Sequence, residues 1–274
     1  MTLICWGTLR HFCLFSLVRS YIKILKKHKK ILIIIQRSSG DVLFSLSLIN
    51  ALYKYYQQPK IDLLVNDDTF PLAKLLPHVN FIHQFSYQKK RDNRWQQERD
   101  LLKSIFKKYD LSINLTASDR SVLYALFASK KSISAIEVSN KKSWWKKIFL
   151  TKYYYFNPTK HILLNNLESL NLLNIKHDDV QQSPNITDKT ISNVQEKLNK
   201  SGIKDFIIFH PSAQYSYKIY PKHLRDKLLT SLDTLGVSII ISENSSFLFK
   251  IFFINACSFS IFLFLLEAVP ICFN

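Results

Sequence analysis

The chain has 274 residues and a mass of 32.2 kDa, enough for one large or two ordinary α/β domains, and two domains suit this length better. Lys and Arg number 38 against 20 Asp and Glu, and the resulting net charge of +18 predicts attraction to polyanions or to an anionic membrane surface. The sequence has no zinc-finger spacing, basic-region zipper or aromatic RNA-binding signature, so nucleic acid is not an expected partner.

The four cysteines lie near the two ends of the chain, at Cys5, Cys13, Cys257 and Cys272. This distribution predicts neither a disulfide framework nor a metal cluster. The start of the chain shows no clear signal-peptide cleavage site, and the cysteine usage fits a reduced compartment. The expected location is therefore the cytoplasm.

Residues 1–30 form a basic amphipathic extension that ends in Lys26-Lys27-His28-Lys29-Lys30. One interpretation places this segment in a membrane interface, with lysine heads among anionic headgroups and apolar side chains below them. The other is a helix that packs on the protein core and leaves its lysine-rich end in water. The sequence leaves both interpretations open.

The segment after this extension predicts a strand, a tight turn and a helix. Five branched apolar residues, Ile31–Ile35, are typical of a strand buried on both faces of a parallel sheet. Apolar positions then recur at helical spacing over residues 42–56. Because ligands of open parallel sheets collect beyond the carboxyl ends of the strands, the turn between strand and helix is a candidate site. Its residues are Ser38, Ser39, Gly40 and Asp41.

Strands and helices continue to alternate to about residue 138, which predicts a doubly wound parallel sheet. The predicted elements are strands at Lys60–Val65, Val79–Ile82, Leu111–Leu115 and Ser132–Val138, and helices at Trp95–Tyr109 and from Arg120. Residues 139–160, rich in Trp, Tyr and Lys, are predicted to be an irregular loop. Their aromatic and basic side chains either contact a membrane or an anionic acceptor, or cover the edge of the sheet.

A helix at His161–Leu173, crossing between the domains, and a second helix at Thr187–Ser201 are predicted next. A second α/β unit then begins, with a strand at Asp205–Phe209, a polar loop at His210–Pro221, a helix at Lys222–Leu235 and a strand at Val237–Ile241. From residue 247 the sequence is rich in phenylalanine. Its apolar run at Ile251–Leu266 is shorter than the ~20 residues that a membrane-spanning helix needs, so a span is only marginal.

Two passages together resemble the family 9 glycosyltransferases, the lipopolysaccharide heptosyltransferases. Ile31–Leu52 is similar to the family's first strand, Gly-Asp turn and helix, and His210–Pro221 is similar to its His-Pro-Gly loop followed by Lys-x-Trp-Pro. Comparable strings fall at Lys108–Leu115 and at His161, Asn166 and Leu167, so the resemblance covers residues 31–242. The Gln-Arg-Ser-Ser-Gly-Asp form is nearest to the branch that adds a third, side-branch heptose.

The resemblance implies an α/β, GT-B-like fold with two Rossmann-like lobes and parallel sheets. Residues 31–160 would form the acceptor-side lobe, and residues 161–246 a partial donor-side lobe. The family continues through an Asp-Ser-Gly-Pro-x-His loop, whereas this chain has no glycine after Gly236. The expectation is therefore a C-terminally truncated member whose second lobe is incomplete and whose residues 247–274 are an aberrant hydrophobic tail.

The resemblance also assigns roles by position. Asp41 would be the general base, with Ser38, Ser39 and Gly40 as the acceptor-side turn. The donor phosphates would be bound by Ser212, Gln214 and Lys218. Without the resemblance, an Asp at a helix start is commonly an N-cap, and a Lys between two tyrosines is commonly a surface residue. No metal and no cofactor are expected, because the ADP-sugar is a substrate.

The implied activity is inverting, metal-independent transfer of heptose from an ADP-heptose-like nucleotide sugar to the inner core of lipopolysaccharide. The expected partners are that acceptor and the anionic surface of the inner membrane, with the protein peripheral on its cytoplasmic side. Two alternatives stay open. One is a truncated, non-catalytic relative, and the other is a tail-anchored membrane protein.

Overall fold

The computed structural model describes residues 30–138, 143–176, 184–211, 216–245, 248–254 and 262–264. The chain divides into two compact units, Met1–Ile186 and Thr187–Asn274. The predicted N-terminal extension, apart from Lys30, lies outside the described residues.

The first unit is built on a six-stranded sheet in which every neighbouring pair of strands is parallel. The strand order is β3-β2-β1-β4-β5-β6, which confirms the doubly wound sheet predicted for this part of the chain. The strands are β1 Lys30–Ile35, β2 Lys60–Asn66, β3 Val79–Phe85, β4 Leu111–Asn114, β5 Ser132–Ile136 and β6 Lys152–Tyr155. The helices are α1 Ser39–Leu43, α2 Leu46–Tyr55, α3 Phe70–Ala73, α4 Tyr87–Asp92, α5 Arg94–Ile105, α6 Asp119–Ala128, α7 Trp144–Phe149 and α8 Ile162–Leu172.

Strand β1 is the centre of the first unit. Its five apolar side chains are almost completely buried because helices cover both faces of the sheet. On one face, Ile31, Ile33 and Ile35 pack with residues of α2 and α8. On the other face, Leu32 and Ile34 pack with residues of α5 and α6. The uninterrupted apolar run in the sequence is thus the consequence of burial on both sides.

The stretch predicted as an irregular loop, residues 139–160, contains helix α7 and strand β6, so that prediction is wrong for these two elements. Strand β6 pairs with β5 and forms the edge of the sheet. Tyr154 and Leu150 are buried, and Trp145 packs against the small core beneath them. Lys146 is 1% exposed and forms an ion pair with the exposed side chain of Asp119. One lysine of this basic stretch is therefore buried.

The first unit extends beyond the boundary expected at residue 160. Leu167 and Leu170 of α8 are buried in the same core as β1 and α2. Asn166 Nδ2 also donates a hydrogen bond to the backbone oxygen of Phe44 over 3.3 Å. Because α8 completes this core, the division between the units falls after Ile186.

The second unit contains a mixed sheet with the order β10-β9-β8-β7. Its elements are α9 Asp188–Lys200, β7 Phe206–Phe209, a 3₁₀ turn at Ser216–Lys218, α10 Lys222–Asp233, β8 Ser238–Ser245, β9 Leu248–Ile254 and β10 Phe262–Phe264. Strands β7 and β8 are parallel, as predicted for this lobe.

Strands β9 and β10 are antiparallel to their neighbours, and both lie beyond residue 246, where the expected parallel lobe ends. Only two residues separate β8 from β9, which is far too short for the crossover that a parallel pair requires. Part of the segment expected to be an aberrant tail therefore belongs to this sheet. None of the described helices has the length and apolar character needed to cross a bilayer.

Candidate active site in the first unit

The candidate site lies at the carboxyl ends of β1 and β4, where the strand order reverses direction. Open α/β sheets bind ligands in the crevice at this switch point. The two loops are joined directly, since the backbone N–H of Gln36 donates to Thr116 Oγ1 over 3.0 Å. The backbone N–H of Leu115 donates to the oxygen of Ile34, also over 3.0 Å. These bonds fix the start of the loop that carries Asp41.

Asp41 lies in the first turn of α1, and Ser38 is the N-cap residue with extended backbone. The alternative interpretation of Asp41 as an N-cap is therefore wrong. Its carboxylate is 20% exposed, and Oδ2 accepts hydrogen bonds from Arg37 Nε over 2.9 Å and from Ser38 Oγ over 3.1 Å. Both contacts use Oδ2. The loop thus presents one ordered carboxylate at the rim of the crevice.

Arg37 also contacts an aromatic ring at the end of the edge strand β6. Its guanidinium carbon lies 4.6 Å from the ring centre of Phe156, the residue that follows β6. The hydroxyl of Tyr154 on β6 is buried, and burial raises its pKa while the positive charge of Arg37 opposes that rise. Arg37 therefore lies between an aromatic support and the carboxylate of Asp41.

Gly40 leaves open space beside Asp41. A methyl group built on Gly40 would meet no atom within 4 Å beyond its two neighbouring residues and the backbone of its own helix, and Gly40 does not adopt the left-handed conformation that requires glycine. Ser39 and Gly40 are both exposed. The chain itself does not need a glycine at this position, so the free space is available to a bound molecule.

Sequence reasoning missed Gln36, which follows the apolar run of β1 directly. Its side chain is buried, and neither amide atom has a hydrogen-bond partner among the described residues. Asn66, at the end of the neighbouring strand β2, likewise has a buried Oδ1 without a partner in that part of the chain. The available signal was a polar residue placed immediately after five apolar ones.

The residues expected to bind the donor belong to the second unit. Lys218 ends the 3₁₀ turn, and its Nζ lies 5.7 Å from the ring centre of Tyr217. Ser212 and Gln214 lie outside the described residues. The structure therefore brings Ser38, Ser39, Gly40 and Asp41 together in the first unit and places Lys218 in the second. Within the described ranges, no three His, Cys, Asp or Glu side chains are grouped to hold a metal ion.

Comparison with known proteins gives one consistent result. No protein-family model matches the chain. The chain is 25% identical over 216 residues to "Lipopolysaccharide heptosyltransferase 3" of Escherichia coli strain K12, a match that covers 75% of this chain and 60% of the relative. The chain thus spans about three fifths of the length of that curated relative.

Two solved structures share the fold. A family 9 glycosyltransferase from Veillonella parvula has a TM-score of 0.65 at 18% identity, over 78% of this chain and 62% of that protein. The E. coli heptosyltransferase WaaC, solved with ADP-2-deoxy-2-fluoro heptose, has a TM-score of 0.61 at 14% identity, over 79% and 70%. The sequence relative and the fold agree, and the chain resembles the heptosyltransferases of glycosyltransferase family 9.

Proposed function

We propose that the chain transfers a heptose from an ADP-heptose-like donor to the inner core of lipopolysaccharide. The observation that carries this proposal is the carboxylate of Asp41, held by Arg37 and Ser38 beside open space at the switch point. The similarity to a lipopolysaccharide heptosyltransferase supplies the substrate class.

In the proposed reaction, an acceptor hydroxyl enters beside Gly40 and approaches Asp41. The carboxylate takes the hydroxyl proton while the oxygen attacks the anomeric carbon of the donor sugar. The bond between that carbon and the diphosphate breaks, and ADP leaves with the electron pair. Attack from the face opposite the leaving group inverts the configuration. Because Arg37 and Ser38 both contact Oδ2, we assign the proton to Oδ1.

The negative charge that grows on the departing diphosphate needs a positive counterpart. We assign this role to Lys218, with Ser212 and Gln214 as hydrogen-bond donors to the phosphates, by their match to the family motif. The transfer would then use no metal. The net charge of +18 supports an acceptor that is phosphorylated and held at an anionic membrane surface, on the cytoplasmic side of the inner membrane.

The test is an assay with purified chain, ADP-heptose and a lipopolysaccharide acceptor that lacks the heptose. ADP release and a gain of one heptose mass on the acceptor are the expected results, and both should disappear in Asp41→Asn. Circular dichroism confirms that each protein is folded. A folded wild-type chain that releases no ADP and leaves the acceptor unchanged would overturn the proposed activity.

A further inference from the structure

The outer surface of α5 and α6 carries an unusual set of exposed aromatic side chains. Trp95 is 82% exposed, Phe106 49% and Phe127 43%. The rings of Phe106 and Phe127 lie 6.3 Å apart between centres, which connects the two helices at this surface. Soluble surfaces seldom expose large apolar residues in contiguous groups unless the group binds something.

The exposed stripe on α5 is distinct from the face that builds the core. Leu101 and Ile105 point into the core beneath β1, and both are buried. Trp95 on α5 and Phe106, the residue after α5, line an open groove of about 520 Å³. Leu102 also lines this groove but is partly buried against the core. Because Trp95 and Phe106 are exposed, folding of the first unit does not depend on their burial.

Cations surround these aromatic residues. Arg99 and Lys103 line the same groove, and Lys107 Nζ lies 5.0 Å from the ring centre of Phe106. Two carboxylates are nearby: Glu98, which lines the groove and accepts a hydrogen bond from Tyr124, and Asp100, which lies 3.9 Å from Arg99. The three cations outnumber them. The surface thus combines apolar rings with a net positive charge. We call Trp95, Arg99, Lys103, Phe106, Lys107 and Phe127 the aromatic-basic face.

We propose that the aromatic-basic face docks on a bilayer rich in anionic phospholipid, an inference that rests on the membrane-borne acceptor of the proposed function. Aromatic rings enter the boundary between headgroups and acyl chains, and Arg and Lys bind the anionic headgroups above them. Charge complementarity selects lipid as the occupant, because this chain carries an excess of 18 positive charges and the face has cations at its rim. The face lies on the opposite side of the sheet from α2 and α8.

The test uses the full chain and sedimentation with vesicles of phosphatidylethanolamine and phosphatidylglycerol, compared with vesicles of phosphatidylcholine. Two double variants probe the face: Trp95→Ser with Phe106→Ser, and Arg99→Gln with Lys103→Gln. Leu164→Ser is the matched control, since Leu164 is an exposed apolar residue on α8. The wild-type chain and the control should bind the anionic vesicles, and each double variant should bind about tenfold or more weakly.

Wild-type failure to bind anionic vesicles overturns the inference. Equal binding by the wild-type chain and both double variants also overturns it, because another part of the chain then holds the membrane. Loss of binding in the charge variant alone contradicts insertion of the aromatic rings and leaves a purely electrostatic contact. These vesicles contain neither donor nor acceptor, so transfer to a detergent-solubilised acceptor reports separately on the proposed activity.

Discussion

Arg37 Nε donates a hydrogen bond to Asp41 Oδ2 over 2.9 Å, one helical turn along the chain. The pair closes the loop between β1 and α1 and is only partly exposed. A carboxylate that must accept a proton from a bound hydroxyl benefits from a fixed position, since small displacements of reacting groups reduce rates strongly. Arg37 is therefore a positioning residue in the proposed reaction, and Asp41 is the group that reacts.

Replacement of Asp41 by Asn should separate chemistry from stability. Asn cannot take the acceptor proton, so the turnover rate in the ADP-release assay should fall about 10²–10⁴-fold. The free energy of unfolding, measured in urea, should change by only about 1 kcal/mol, because the variant loses a part-exposed ion pair and one helix-dipole interaction. Glu196→Gln is the matched control because Glu196 and Lys200 form another ion pair four residues apart. If Asp41→Asn turned over as fast as this control, Asp41 would not be the base.

Gly40→Ala should stabilise the protein and still slow the reaction. An added methyl group meets no atom beyond its neighbouring residues and its own helix backbone, and Ala favours the helix over Gly by about 0.5–1 kcal/mol, so urea should unfold the variant at higher concentration. The same methyl group occupies the space assigned to the acceptor, so its KM should rise. Gly202→Ala is the contrasting control: Gly202 has φ +67°, and Ala there should destabilise the chain by about 1–2 kcal/mol. An unchanged KM in Gly40→Ala would show that the acceptor does not bind beside Gly40.

The first sheet was predictable because β1 repeats apolar residues without interruption and α2 repeats them at helical spacing, and both patterns follow from burial. Strand β6 could not be predicted, because a short stretch of Tyr and Lys residues is also typical of an exposed loop. Only the structure shows that Tyr154 is buried. The motif identified the turn at Asp41. Its contact with Arg37 depends on side-chain geometry that the order of residues does not specify.

Lys146 provides a test of the ordered segment that sequence reasoning missed. Its buried ammonium donates to the backbone oxygen of Ala117 over 2.8 Å and lies 2.6 Å from Asp119 Oδ1. Lys146→Met keeps the aliphatic volume and leaves that partly buried oxygen without its donor, so the free energy of unfolding should fall by about 1–3 kcal/mol. Lys147→Met, one residue later on the exposed side, should change it little. Equal stability of the two variants would contradict a structural role for the Lys146 contacts.

His83 lies in a buried polar chain on the first unit. Tyr109 donates its hydroxyl proton to Asp62 Oδ2 over 2.8 Å, so His83 Nε2, 2.9 Å from the same hydroxyl, must be the donor in that contact. Ser104 Oγ lies 3.1 Å from Nδ1 and donates its own proton to the backbone oxygen of Leu101 over 2.7 Å. Burial lowers the pKa of His83 from its usual 6.5, which Lys108 reinforces and Asp62 opposes. Burial therefore favours the neutral form of the ring in the folded protein.

This lowered pKa predicts that acid destabilises the fold. Below about pH 6.5 the unfolded chain binds a proton at His83 more readily than the folded chain does, so the free energy of unfolding should decline as the pH falls from 7 to 5. His83→Gln cannot titrate, and its stability should decline less over the same range. The effect of His78, whose pKa is also lowered by burial, is common to both proteins. Parallel declines in urea titrations would show that His83 is not responsible.

In the proposed reaction Lys218 binds the diphosphate of the donor, and this role can be tested without the acceptor. A lysine that binds a diphosphate forms charge-assisted hydrogen bonds, so Lys218→Ala should weaken ADP binding about tenfold or more in isothermal titration. Lys222→Ala is the control, because Lys222 follows closely, is well exposed and pairs with Asp226. Wild-type binding that Lys218→Ala leaves unchanged would assign the phosphates to other residues. If the folded wild-type chain bound no ADP, the chain would have no donor site, and the proposed transfer reaction would be ruled out.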